Sequence, residues 1–166
     1  MVTKILGLWQ TSAMPVGRIS VPLHLRRSAE DRMGWEIDPE GITFFPRRTA
    51  PDYAPGPPLY VTENGMANAG MVNAAGEVHD PERVAYFEGH LAALAALIDE
   101  NVPLKGYFAW LLLDNYEFAF GYSKRFGIVH VDYDSMVRTP KQSWHKLRAV
   151  LRPARAYSSP PVRPGV

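Results

Sequence analysis

One stretch limits the choice of fold more than any other. "DPERVAYFEGHLAALAALIDEN", residues 80–101, reads as a single amphipathic helix. Asp80 suits the N-cap, Pro81 the first helical position, and Glu82 complements the positive end of the helix dipole. Val84, Phe87, Leu91, Leu94 and Ile98 recur at alternating spacings of 3 and 4, which predicts the buried stripe. Asn101 and Pro103 end it. The helix is flanked by two apolar runs. "PPLYVTE" (58–63 in its strand-like part) predicts a short buried strand, and "LKGYFAWLLL" (104–113), almost continuously apolar, predicts a strand covered on both faces. Strand, long helix and strand make a βαβ unit, whose strands must run parallel and whose crossover is right-handed. The fold class is therefore α/β.

The remaining segments are less periodic. Residues 1–57 hold neither helical nor strand period and read as irregular. Within them, 38–58 begins like a helix with Asp38 and Pro39, but Pro46 and Pro51 interrupt it. An interior proline costs about 3 kcal/mol, so any helix there is expected to be short or broken. Residues 64–79 have loop composition, and 126–134 predicts a short strand. Residues 139–151 predict a closing helix, with a Thr139–Gln142 capping box around Pro140 and a buried stripe of Trp144, Leu147 and Leu151. Residues 1–151 are expected to form one unit, followed by a Pro-rich, disordered tail over 152–166.

Composition removes several function classes. A net charge of +1 favours neither nucleic acid nor an anionic membrane as partner. Without cysteine there is no disulfide framework and no thiolate metal site, which fits a reducing, cytoplasmic compartment. The apolar run near Met1 is too short for a signal-peptide core, and no run approaches a membrane span. The five histidines lack metal-ligand spacing, His130 and Asp132 read as structural, and no Gly-rich phosphate loop occurs. No metal and no cofactor is expected.

Ligands of parallel sheets bind at the carboxyl ends of the strands. Here that edge carries Glu63 and the loop "DNYEFAFGYSKRFG", so the topology predicts Glu63 near Asp114, Asn115, Glu117 and several aromatics, with Trp110 just before the strand end. Carboxylates beside aromatic faces suit sugars: ring C–H groups stack and hydroxyls bond the carboxylates. Blander readings compete. Asn64-Gly65 is also a hairpin signal, although no strand follows it, and Trp110 and Phe108 could be core. Glu117 between Tyr116 and Phe118 must find a partner or bear a burial cost.

Taken together, "MGWEIDPEG" (33–41), "LYVTENG" and "GYFAWLLLDNYEFAFGYSKRFGIVHVDYDSMVRTPK" resemble the C-terminal part of glycoside hydrolase family 1, the β-glucosidase family, over residues 32–151. The resemblance implies a (β/α)₈ barrel, with 58–63 as its seventh strand and 104–113 as its eighth. It implies Glu63 as catalytic nucleophile, Trp110 as the platform under the glycosyl ring, Glu117 as the carboxylate on the sugar's outer hydroxyls, and Phe126 as an aromatic lining the pocket. Phe118 stands where the family usually has Trp, keeping a ring but losing an N–H donor. Glu117 and Phe126 point to an unphosphorylated β-glycoside, because a carboxylate would repel a sugar phosphate. A retaining glycosidase also needs a second carboxyl roughly 5–5.5 Å from the nucleophile. In this family it belongs to an Asn-Glu-Pro motif, and none occurs in these 166 residues. A full barrel takes about 250 residues. The expectation is a partial (β/α)₈ barrel that carries the nucleophile half of a β-glucosidase-type site and is completed by an N-terminal barrel half. The alternative is a non-catalytic remnant or a sugar-binding or assembly module.

Overall fold

The computed structural model describes residues 13–16, 19–22, 29–52 and 56–151. The tail at 152–166, expected to be disordered, lies outside the described residues. The chain opens with two antiparallel strands, β1 (Ala13–Val16) and β2 (Ile19–Pro22). Helix α1 (Gly41–Asp52) follows, then β3 (Leu59–Asn64), α2 (Pro81–Asp99) and β4 (Leu104–Ala109). A short antiparallel pair, β5 (Val129–Val131) and β6 (Arg138–Pro140), leads into α3 (Gln142–Leu151).

The βαβ unit forms as the sequence requires. β3 and β4 are parallel, with Leu59 opposite Leu104 and Asn64 opposite Ala109, and α2 connects them. Among the described residues these two strands form a two-stranded sheet and no barrel closes. That explains a correction: β3 and β4 are not covered on both faces. The outer face, with Leu59, Val61, Tyr107 and Ala109, packs toward the helices in two apolar clusters. One centres on Phe87, Ile128, Val129 and Leu147, the other on Leu94, Leu97 and Leu104. The inner face is open, with Tyr60 at 54% and Phe108 at 59% exposure. Burying an aliphatic or aromatic side chain contributes about 1.5–3 kcal/mol, and this chain gains it on one face of the sheet.

The helices depart from expectation in instructive ways. On α2 the buried positions are Arg83, Phe87, His90, Leu94 and Leu97, while Ile98 is 55% exposed. The helix is rotated so that two polar residues, each with partners, take places the apolar pattern would not assign. α1 runs through Pro46 and Pro51 as twelve residues, neither short nor broken. Pro46 leaves one carbonyl, that of Ile42, without its usual donor, and an anchor outside the helix meets part of the loss. The Arg47 guanidinium bonds the Glu100 carboxylate at 2.7 and 2.8 Å and the Thr43 hydroxyl at 3.0 Å, tying α1 to the end of α2. At α3 the capping box does not form, because Thr139 belongs to β6. Asp80 caps that helix from a distance: its carboxylate accepts from the Ser143 amide at 2.8 Å and the Ser143 hydroxyl at 2.7 Å. Asp80 makes no side-chain cap to its own helix. The expected α3 stripe shortens accordingly, with Ser143 and Leu147 buried and Leu151 69% exposed.

Asp80 belongs to a buried ionic hub that fixes the loops at the strand ends. Arg83, 0% exposed, donates to Asp80 at 2.8 Å and to the carbonyls of Gly127 at 2.7 Å and Arg125 at 2.6 Å. Asp114 accepts from Lys141 at 2.8 Å, Arg125 at 3.0 Å and the Gly127 amide at 3.0 Å. Burial pulls the Arg83 pKa below its ordinary value and the Lys141 pKa down to about 8, against the attraction of Asp80 and Asp114.

Candidate active site

β3 delivers Glu63 to the open face by an irregularity. Along the strand, exposure alternates through Tyr60 and Val61, but Thr62 and Glu63 are both exposed and Asn64 is half-buried. The register shifts between Val61 and Asn64. An extra residue there breaks the two-residue alternation, so Glu63 joins the exposed set and Asn64 the covered set. Among the described residues nothing hydrogen-bonds or ion-pairs with the Glu63 carboxylate.

The Asn64-Gly65 pair is not a hairpin. β3 pairs with β4, and Gly65 serves a close approach: a Cβ at this position would sit 1.7 Å from the Trp110 carbonyl oxygen. The Trp110 amide donates to the Asn64 carbonyl at 2.8 Å. The structure thus brings together Glu63 and Trp110, two residues that sequence separates by the whole of α2. Trp110 is half-buried, and the peptide bond that follows it is cis.

The other expected site residues divide. Glu117 sits in a tight turn whose amide donates to the Gly121 carbonyl at 2.8 Å; its carboxylate has no hydrogen bond or ion pair among the described residues. Phe118, next to it, is 94% exposed. Phe126 is 1% exposed, its ring 5.5 Å from that of Trp35, so it is packed in the interior and offers no open face. Asp114, expected beside Glu63, is instead 6% exposed inside the ionic hub. Asn115 donates to the Tyr116 carbonyl, and its own carbonyl accepts from the Tyr133 hydroxyl. Asp114 has no oxygen left for a ligand, whereas the Asn115 side-chain oxygen is buried without a partner among the described residues. Hydrogen bonds from Asp31 hold the loop after β3: its carboxylate accepts from the amides of Met33, Trp35 and Ala67, while burial raises its pKa.

Sequence reasoning missed what lies behind strand β3. Asn64, Tyr86 and Tyr107 form a side-chain chain under Glu63, and Arg83 and Lys141 form the hub that holds the following loops. The only legible signal was Tyr at positions where a helix and a strand face each other; nothing local marks their hydroxyls as partners. Among the described residues no group of three or more His, Asp or Glu is placed to hold a metal ion. What remains at the open edge is an unpartnered carboxylate beside an aromatic ring, with a second free carboxylate on the adjoining loop. This arrangement can stack a sugar ring, bond hydroxyls and offer a nucleophilic oxygen.

Comparison with known proteins identifies the family. The model of glycosyl hydrolase family 1 matches residues 20–154. The chain is 51% identical over 111 residues to beta-glucosidase A of Thermotoga maritima, covering 67% of this chain and 25% of that protein. It is 47% identical over 120 residues to the bifunctional beta-D-glucosidase/beta-D-fucosidase of Bifidobacterium breve, covering 69% and 26%. The family 1 β-glucosidase of T. maritima in complex with isofagomine lactam superposes with a TM-score of 0.75 at 44% identity, over 81% of this chain and 30% of that one. The psychrophilic β-glucosidase of Micrococcus antarcticus gives 0.72 at 48% identity, over 75% and 27%. The chain spans about a quarter of the length of the curated relatives it matches. A family match over most of the chain, together with the parallel strand pair and its crossover helix, means that the chain belongs to glycosyl hydrolase family 1 and comprises the closing part of its TIM barrel.

Proposed function

We propose that this chain contributes the nucleophile half of a retaining β-glucosidase-type site, acting on unphosphorylated β-glucosides or related β-glycosides. The observation that carries the reading is Glu63: an exposed, unpartnered carboxylate at the C-terminal end of a parallel strand, pinned beside Trp110 by the Asn64–Trp110 hydrogen bond. An ionised carboxylate without competing partners keeps its lone pairs for attack.

The chemistry runs in two displacements. A Glu63 oxygen attacks the anomeric carbon as the glycosidic bond breaks, forming a glycosyl ester, and the leaving oxygen takes a proton from a second carboxyl. Water, deprotonated by that same carboxyl, then attacks the anomeric carbon and releases Glu63. The second carboxyl is supplied by an earlier strand of the barrel, from a complementary N-terminal half. Trp110 stacks beneath the sugar and Glu117 bonds its outer hydroxyls, a role that disfavours a phosphorylated ring by charge repulsion. Phe118, almost fully exposed, borders the same loop. Without the second carboxyl the chain lacks general acid catalysis, which typically contributes about 10²–10⁴-fold.

The test supplies the N-terminal barrel half of a relative by co-expression or fusion. Turnover of an aryl β-glucoside should appear, Glu63→Ala should abolish it, and azide should restore part of the rate with an α-glycosyl azide as product. Glu117→Ala should weaken binding and slow turnover without azide rescue. Near-normal turnover in Glu63→Ala, or azide rescue of Glu117→Ala in its place, sinks the assignment. Binding of a glucoside without any turnover would support the sugar-binding alternative.

A further inference from the structure

Glu63 has no side-chain anchor among the described residues, so its aim is inherited from the backbone of residues 63–65. That backbone is held from behind by one side-chain amide. Asn64 Nδ2 donates to the Tyr86 hydroxyl at 2.9 Å, and the Tyr107 hydroxyl donates to Asn64 Oδ1 at 2.8 Å. The two tyrosines come from different elements, α2 and β4, so the amide is gripped from both. Tyr86 is itself fixed: its ring stacks on His90 at 3.9 Å, and the His90 Nδ1–H donates to the Tyr86 carbonyl at 2.7 Å. The edge of Phe87 meets the same ring at 5.7 Å. Forward of Asn64, its carbonyl accepts from the Trp110 amide and Gly65 lies against the Trp110 carbonyl.

A cavity of about 200 Å³, bordered by Ile42, Phe45, Val61, Glu63, Asn64 and Tyr86, adjoins both the amide and Glu63. An ungripped Asn64 would have space to swing into it. A carboxylate that must meet an anomeric carbon within a few tenths of an ångström is sensitive to such a shift, since misplacement by about 1 Å can cost about 100-fold in rate.

We propose that Tyr86 and Tyr107 are positioning residues for the nucleophile, clamping Asn64 so that Glu63 and the Trp110 platform are held in one geometry. This rests on Glu63 being the nucleophile. Tyr→Phe at either position removes a single hydroxyl and keeps the ring, so packing is preserved while the buried amide loses a partner.

The experiment uses the full chain and its Tyr86→Phe, Tyr107→Phe and double variants, with two readouts. The first is hydrogen exchange of individual backbone amides. Each single variant should speed exchange at Asn64, Gly65 and Trp110 about 10-fold, the equivalent of one lost net hydrogen bond, with Phe87 and Leu94 unchanged. The second is covalent labelling by 2-deoxy-2-fluoro-β-glucosyl fluoride, whose fluoride leaves without a protein acid, read by mass spectrometry of the peptide bearing Glu63. The maximal labelling rate should fall about 10-fold in each single variant at unchanged half-saturation, and the double variant should add little because one amide is shared. Unchanged exchange at residues 64, 65 and 110 in all three variants overturns the clamp, whether or not label attaches. Equal and measurable labelling of wild type and variants overturns it as well; where no variant labels, the exchange data decide. Label on a residue other than Glu63 overturns the nucleophile assignment and not the clamp, which the exchange data then decide.

Discussion

Asp114 lies in the loop that follows strand β4 and Glu63 near the end of the neighbouring parallel strand β3, and the fold treats them oppositely. Asp114 is 6% exposed and spends its oxygens on Lys141, Arg125 and the amides of Gly127 and Val131. Glu63 is exposed and, among the described residues, spends none. The first carboxylate organises loops and has no capacity left for a ligand. The second is held only through its backbone and keeps its capacity free. A protein that needs a reactive carboxylate at a sheet edge has to stabilise that edge with other residues, and here the hub of Asp80, Arg83, Asp114 and Lys141 takes that part. The charge that supports the structure and the charge available for chemistry are one strand apart.

The comparison breaks most visibly at the hub. Asp114→Ala leaves Lys141, 0% exposed, and Arg125 without their carboxylate. Removing one member of a buried ionic set typically costs about 3–5 kcal/mol, so urea denaturation should show the midpoint collapsing. A loss below about 1 kcal/mol would mean that the hub is not what holds the loops. Next in size is the contact between the two regions. Gly65→Ala forces a methyl into the Trp110 carbonyl, an overpacking worth about 1–3 kcal/mol, and should also move Trp110, visible as a shifted fluorescence maximum. An unchanged spectrum and midpoint would show that strand β3 can slide away from Trp110.

Acid sharpens the contrast on a finer scale. Burial lowers the pKa of His90, behind the open edge, and of His130, in the hub, where Arg125 and Lys141 lower it further. Both imidazoles therefore hold a proton less well in the folded chain than at the ordinary value of 6.5. Between those lowered values and 6.5 the unfolded chain binds more protons, so stability is full above this window and falls as pH falls through it. Urea denaturation should therefore give a lower midpoint at pH 5 than at pH 7. His90→Gln and His130→Asn should each flatten the slope; a slope indifferent to both assigns the acid sensitivity elsewhere. The smallest effect belongs to the open edge. Glu63→Gln, an exposed substitution that breaks no bond among the described residues, should change stability by less than about 0.5 kcal/mol. A larger change would show that Glu63 is structural like Asp114.

Much of this molecule follows from local pattern. The 3.6-residue period of α2, the apolar runs on either side of it and the Glu63 that ends the first run are all readable in order, and they require a parallel pair with a carboxylate at its end. The motifs around "TENG" and "SKRFG" carry the family resemblance, because they are contiguous. What the sequence could not convey is which polar residues are buried. It placed Asp80 correctly at the N-cap of its own helix but not its carboxylate's reach to Ser143 across 63 positions, and it offered Asp114 as a site residue although Asp114 reaches Lys141 across 27. It offered Thr139 as a cap and Ile98 as core, and it gave no role to Arg83, whose partner at Gly127 is 44 positions away. Side-chain periodicity reports the direction a residue faces relative to its near neighbours. An ion pair or a hydroxyl clamp depends on which distant elements are brought opposite, and only the packing of α2 against the sheet and α3 decides that.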